Sequence, residues 1–461
     1  MQESEYIAVI CQKEIKGLCY RHKIDGISVY NYIKRQVRSL VLEHYGYSQD
    51  LRKEPLLYGK IIASFFCSLW QVSTLVFLNK RATFFIYSFF RTDSVNGIYL
   101  DKFTDPLIEY TSIKDSYVIF DRGNNGIHRK PRLHHKRIVY TDALNDVAYV
   151  WAYLFVKFFI IRNKKVLEGL WQSIDLSFPE ISYSKNVFSR QILYLITLTR
   201  IYSFLMRRMG VQYMLAPARH AFLPLIPAAK GNGIKVFELQ HGITYGESLT
   251  YSGFRDVEFT PDCFLTFGEM HPSNVYGIDE ERIVNIGWAF GKYIKDNARG
   301  QIVIPSDVLV ISEPQITDRI INVISTLAID NPSLIFCFRP HPLEVLTVDQ
   351  MRMLEDKKNI IIDDNKQNIQ STLTRFKFVI GENSTVLYEA VSMGKRVGKI
   401  SMGGLRPLYL QEEDKLLFWN LSDSQSFKLF ISDDSERKLQ KSIYSTFSSD
   451  KFNTILGISN R

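Results

Sequence analysis

Two periodicities divide the chain. From residue 83 onward, short runs of β-branched, aromatic and aliphatic residues recur, each followed by a polar turn and then by apolar residues at helical spacing. Residues 83–88 and 117–120 predict the first two strands, and the polar run 93–97 between them predicts a loop. Residues 140–208 read as helical. Strands are then expected at 211–215, 235–239, 262–267 and 283–287, with a helix over 223–230 stopped by Gly231-Asn232-Gly233. The polar stretch 292–299, leading to Gly300 and Pro305, predicts a boundary. Beyond it the alternation restarts, with strands at 307–311, 334–338, 359–362, 376–380 and 396–400, the last of the series. Helices are expected at 318–328, 368–374 and 384–393.

Two αβ-repeating halves predict an α/β protein of two doubly wound Rossmann-like domains facing a cleft. Residues 1–80 carry a helical pattern instead, clearest over 31–45. The expected organisation is a helical N-terminal extension (1–81), an N-terminal Rossmann-like acceptor domain with a helical insertion (82–295), a C-terminal Rossmann-like donor-nucleotide domain (300–430) and a C-terminal helical tail (431–461). A chain of 461 residues suits that division.

Two apolar stretches complicate the picture. Residues 61–78 carry no charge and just reach the length of a membrane span, but Ser64, Ser68, Gln71, Ser73 and Thr74 favour a buried helix. Residues 147–161 are aromatic, contain Lys157 and are followed by Arg162, Lys164 and Lys165, so core burial and a place on a membrane surface both fit. The net charge of +9 favours anionic partners. The densest basic stretch, 122–137, includes Arg129, Lys130, Arg132, Lys136 and Arg137 with three histidines, and reads first as a solvated loop, with a surface for an anionic acceptor or lipid as the alternative. No nucleic-acid-binding motif accompanies it, so no nucleic-acid partner is expected. Five cysteines without a C-x-x-C pair argue against a disulfide framework or zinc site and suit a reducing cytoplasm. The acidic opening Met1-Gln2-Glu3-Ser4-Glu5 does not read as a secretory signal.

Candidate chemistry gathers where strands end. Gly381, Asn383, Ser384 and Thr385 sit at a predicted helix N-terminus, where exposed N–H groups and the helix dipole favour an anion. Glu389, further along the helix, can accept from ribose hydroxyls. Ser and Thr are equally the residues that cap helices everywhere. Arg339 and His341 follow a strand in Arg339-Pro340-His341-Pro342, placing a guanidinium and an imidazole where a diphosphate can be bound. A structural turn is the alternative. His241, in Gln240-His241-Gly242, is a candidate general base, with Arg219 and His220 beside it on the acceptor side. The chain has no G-x-x-x-x-G-K-[ST], G-x-G-x-x-G after a strand, H-E-x-x-H, G-x-S-x-G or D-x-D. That disfavours a P-loop NTPase and a dehydrogenase and gives no indication of a metal.

Taken together, His-Gly after a strand, His-Pro in the second half and Gly-x-x-Ser-Thr with Glu389-Ala390 downstream resemble bacterial glycosyltransferases of GT-B fold. These build capsule, lipopolysaccharide and teichoic acid polymers, and include Kdo-transferring capsule enzymes, polysialyltransferases and CDP-glycerol glycerophosphotransferases. The resemblance covers about 210–405 and extends weakly to 82–120. It implies donor-phosphate binding by His341, Ser384 and Thr385, and a catalytic-base role for His241. The acidic-acidic-Gly base motif of the polysialyltransferases is not found. The expected activity is transfer of a sugar or alditol phosphate from a nucleotide-activated donor, which is a substrate and not a cofactor, without a metal. The expected acceptor is a glycan or a lipid-linked acceptor at the inner face of the cytoplasmic membrane, with peripheral contact to anionic lipid. A non-hydrolysing sugar-nucleotide epimerase and a non-catalytic polysaccharide-assembly protein are the alternatives.

Overall fold

The computed structural model describes residues 3–47, 58–89, 92–123, 126–219, 222–242, 247–249, 251–269, 277–297, 307–342, 344–409, 412–433, 435 and 442–457. Three helices come first: α1 (Glu3–Lys16), α2 (Tyr30–His44) and α3 (Tyr58–Phe77). The first two are joined by a buried ion pair. Glu14 receives Arg38 Nε and Nη2, both at 2.7 Å, and the hydroxyls of Tyr20 and Tyr30 at 2.6 and 2.8 Å. Arg38 spends its other donors on Leu249 O and Ser252 O, at 2.8 and 2.9 Å. With every strong partner supplied, the charges are tolerated inside; leaving one uncompensated would cost about 3–5 kcal/mol. The pair thereby fixes the helical extension to Leu249 and Ser252.

The first sheet is built from β1 (Phe84–Tyr87), β2 (Tyr117–Asp121), β3 (Ile138–Tyr140), β4 (Tyr213–Pro217), β5 (Lys235–Leu239), β6 (Cys263–Thr266) and β7 (Ile283–Asn285). Its order is β7-β6-β5-β4-β1-β2-β3, parallel throughout. The insertion between β3 and β4 is three helices, α4 (Asp142–Arg162), α5 (Lys164–Ser177) and α6 (Lys185–Met209), the last stopped by Gly210 at φ 69°. Next come α7 (Ala289–Asn297) and the second sheet: β8 (Val308–Ile311), β9 (Phe336–Arg339), β10 (Ile360–Ile362), β11 (Phe378–Gly381), β12 (Arg396–Ile400) and β13 (Trp419–Leu421). Its order is β10-β9-β8-β11-β12-β13, again all parallel. α8 (Thr385–Ser392) follows β11 and α9 (Ser449–Ile455) closes the described chain.

The expected α/β architecture of two Rossmann-like domains with a helical N-terminal part is present. Several local expectations change. The 93–97 stretch is one side of a hairpin, Asp93–Val95 against Ile98–Leu100, turned by Asn96 and Gly97 at φ 52° and 78°. Asn-Gly favours such a turn because both central residues need positive φ. The 292–299 stretch is not a bare linker up to 297: α7 buries Ala289, Phe290, Tyr293 and Ile294, a helical spacing hidden among lysines. β3 was not expected, and β13 extends the second sheet past 396–400, each only three residues long. Residues 298–306, including Gly300 and Pro305, lie outside the described residues.

The basic stretch after β2 is folded in and not simply solvated. Arg132 is buried against Asp105 and Ser88. His128 lies between Asp121 (Nδ1 to Oδ2, 3.0 Å) and Asp142 (Nε2 to Oδ2, 2.9 Å), stacks on Tyr140 and meets Ser64 of α3 at 3.1 Å. Burial opposes its charge, but the two aspartates outweigh burial and lift it to about 9. A raised folded-state value means that the contribution is complete below the ordinary 6.5 and is lost as pH rises through about 9. Urea unfolding of the wild type should therefore show stability falling between pH 7 and 10, and His128→Gln should flatten that dependence.

The chain's end returns to the first domain. Backbone bonds run from Glu269 N to Ser442 O (2.7 Å), Ser445 N to Phe267 O (2.8 Å), Trp288 N to Ser445 O (2.9 Å) and Ser448 N to Ile286 O (2.9 Å). This strap crosses the ends of β6 and β7, then Phe447, Phe452 and Leu456 join the first domain's core. Gly287, at φ 82°, permits the approach, since a Cβ there would lie 2.2 Å from Thr446 O. Gly287→Ala should destabilise the protein by about 2 kcal/mol in denaturant titration.

Candidate active site

Because every strand of each large sheet runs the same way, the carboxyl ends share one edge. Ligands bind there, beside the pair of strands at which the winding reverses. That pair is β1 and β4 in the first sheet and β8 and β11 in the second.

In the first domain, Ala218 takes a left-handed conformation (φ 59°) just past β4 and is followed by Arg219. Arg219 donates to Glu238 of β5 through its backbone N (2.7 Å) and through Nε (2.6 Å). Its guanidinium also lies 5.2 Å from the Tyr251 ring centroid. Glu238 is buried, which raises its carboxyl above the usual range, while Arg219 and a hydrogen bond with Tyr251 pull it down. The Tyr251 hydroxyl is 2.9 Å from His241 Nδ1. A phenol has one hydrogen. Donated to Glu238, it leaves the oxygen to accept Nδ1–H, which places the imidazole lone pair at Nε2. Gln240 is a strut: its amide receives Phe267 N (2.9 Å) and donates to Gly242 O (3.2 Å), locking the ends of β5 and β6. His220 lies outside the described residues. Beside this chain is a cleft whose lining includes Lys34, Arg35, Arg219, Tyr251, Arg255 and Asp256.

In the second domain the backbone at the start of α8, where an anion was expected, is bonded to a carboxyl of the chain itself. Glu313, just past β8, accepts Asn383 N at 2.8 Å and also bonds the Ser384 backbone. Burial raises its carboxyl, and these amides oppose that. Ser384 caps α8, accepting Val386 N at 3.4 Å, and Thr385 opens the helix. Gly381 ends β11, where a Cβ would come 3.2 Å from Ile311 O. It pairs with Lys399 of β12. Lys399 is fully buried, bonded to the Tyr388 hydroxyl at 3.0 Å and within 4.7 Å of the ring centroids of Tyr388, Tyr409 and Phe418. Burial lowers it to about 8.

The remaining expected residues separate. Arg339 does not point to open space: its guanidinium is buried on Asp363 (3.1 Å), Thr372 (2.8 Å) and Gln367 O. It braces the loop after β10. The direction of a strand's last side chain follows the pleat, which the motif alone does not reveal. His341 stays partly exposed at the rim, its backbone N–H donating to Glu344 Oε2 at 2.7 Å. Glu344 is in turn held by Ser312 and Thr317. Glu389 is buried and receives Gln370 Nε2. Burial raises it, and Lys102 of the first domain opposes this across the cleft. The hairpin beside Lys102 touches the second domain directly, through Asn368 Nδ2 to Ser94 O at 2.7 Å. Sequence reasoning missed Glu238, Tyr251, Glu313 and Lys102; the Asn96-Gly97 turn was the one available signal, pointing to Lys102's hairpin. Among the described residues, no group of three His, Cys, Asp or Glu side chains is arranged to hold a metal ion.

No family model matches the sequence. No curated protein matches it either. Among solved structures, the UDP-GlcNAc 2-epimerase of Methanocaldococcus jannaschii is similar at a TM-score of 0.51 and 12% identity, over 82% of this chain and 99% of that one. The S. aureus MnaA–UDP co-structure follows at 0.48 and 11%, over 82% and 98%. The wall teichoic acid polymerase TagF follows at 0.42 and 11%, over 80% and 88%. At such identities the first likeness speaks for the fold alone, and the other two carry no weight in the argument.

One charge at a helix N-terminus is worth about 1 kcal/mol. Glu313→Gln should therefore tighten binding of inorganic pyrophosphate about fivefold in calorimetric titration. Unchanged affinity would place pyrophosphate elsewhere. The fold of this chain is the two-domain, GT-B-like architecture, with the candidate residues divided between the strand ends of its two domains.

Proposed function

We propose that this protein is a glycosyltransferase, moving a sugar or an alditol phosphate from a nucleotide-activated donor to a hydroxyl of a bacterial surface-polysaccharide acceptor. The observation that carries the reading is the hydrogen-bonded chain Arg219–Glu238–Tyr251–His241 at the strand edge of the first domain, together with a helix N-terminus suited to an anion at the strand edge of the second. His241 Nε2 takes the acceptor proton, and Tyr251 with Glu238 stabilises the imidazolium that results. The acceptor oxygen bonds to the transferred group as the bond to the nucleotide phosphate breaks, its electron pair leaving with the phosphate. The amides at the start of α8, the hydroxyls of Ser384 and Thr385, and His341 take up that charge once Glu313 gives way. The cationic cavity beside Arg219 supports an acceptor that carries a negative group. With nucleotide sugars as donors, the place of action is the cytoplasmic side of the membrane, and no metal is required.

An epimerase reading has one specific support, the fold likeness to the UDP-GlcNAc 2-epimerase. The helical N-terminal addition favours transfer, since it lines the acceptor-side cavity with Lys34 and Arg35. Thermal unfolding with CMP, CDP, UDP, GDP and TDP, with and without Mg²⁺, tests the donor half. One nucleotide should raise the transition, as binding to the folded state does. Stabilisation by none would overturn the reading, and acceptor-free conversion of a nucleotide sugar to its epimer would replace it. His241→Ala should lower kcat by about 10²–10⁴-fold while the nucleotide-induced stabilisation persists.

A further inference from the structure

The helices over residues 61–78 and 147–161 are not buried all round. α3 and α4 pack against each other, and α4 also packs along α6. α4 turns Ala148, Ala152, Val156 and Phe159 inward and leaves Trp151, Leu154, Phe155, Phe158 and Ile161 exposed. α3 docks through its polar residues. Ser68 Oγ donates to Tyr140 O (2.6 Å) and receives Ala143 N (3.1 Å), Gln71 receives Tyr140 N (2.7 Å), and Ser64 meets His128. The hydroxyls that argued for burial thus hold the helix by one side, while Phe66, Trp70 and Phe77 on the other stay open, with Trp70 76% exposed.

We infer that this joint α3–α4 face is a docking surface for an anionic lipid bilayer, lying on the membrane and not crossing it. Both helices are long and apolar enough to span, yet each keeps one side bonded or packed to the first domain, which a spanning helix would have to give up. Charge selects the occupant. α3 carries one charged residue, Lys60, and the exposed face of α4 carries Lys157. Basic groups stand at the two ends. Arg81, Arg207 and Arg208 gather around Phe204, with Arg208 Nη2 reaching Val76 O of α3 at 3.5 Å. Arg162 ends α4, and Lys164 and Lys165 follow it. An apolar strip with Trp and Tyr along it and cations at its ends matches acyl chains flanked by anionic headgroups. A second copy of this chain would present the same cations to itself. The inference does not depend on the transferase reading.

Flotation of the whole 461-residue chain with vesicles tests it without any donor. The protein should float with phosphatidylcholine–phosphatidylglycerol vesicles far more than with phosphatidylcholine alone, and high salt should weaken this. Trp70→Glu with Phe158→Glu, and separately Arg207→Glu with Arg208→Glu, should each reduce binding by about tenfold or more. Circular dichroism and thermal unfolding should match the wild type, because these side chains are exposed. Binding that is absent, indifferent to lipid charge or unchanged in folded variants would overturn the inference. So would a wild-type dimer, seen by sedimentation, that Trp70→Glu with Phe158→Glu dissociates, since the face would then belong to a second copy.

Discussion

Parallel strand pairing is the constraint on which the rest depends. A parallel neighbour cannot be reached by a tight turn, so each strand must be followed by a crossover before the next begins. All carboxyl ends of a sheet then share one edge. In the first domain that edge holds Arg219 and His241, and in the second it holds Glu313, His341 and Asn383. The strap over β6 and β7 covers one part of the first edge. The opening is thereby left toward β1, β4 and β5, where the winding reverses.

Much of this was legible in the sequence because the strands are buried on both faces and write continuous apolar runs. The ends of those runs located His241, His341 and Ser384 without any knowledge of their partners. The rest depended on direction and on distance along the chain. Glu313 follows a strand in an unremarkable Ser-Glu-Pro, and only the fold brings it to Asn383. Arg339 reads as an anion ligand, but its side chain goes inward to Asp363. The composition of α3 gave its helix but not which side would face the protein. β3 and β13 are too short to stand out from loops.

The charged groups differ greatly in consequence. Lys164 and Glu168 are exposed and 3.8 Å apart, a pair worth about 0–1 kcal/mol at most. Glu14–Arg38 and Glu238–Arg219 are buried, where breaking a pair leaves a charge without solvent. Both pairs sit against the same region, one holding Leu249 and Ser252 and the other bonded or packed to Tyr251, which reaches His241. The proposed base is thus oriented by groups that cannot move independently. Glu313 differs from both pairs in kind, being bonded to the backbone amides of Asn383 and Ser384.

The strap has a consequence for the order in which the molecule can be made. Phe447, Phe452 and Leu456 belong to the same core as Phe85 and Ile119. During synthesis the first domain leaves the ribosome well before these residues exist, so its sheet must wait, with the ends of β6 and β7 uncovered, until the second domain has also emerged. The two domains differ in position along the chain but are completed together, and removing the last helix would damage the domain furthest from it in sequence.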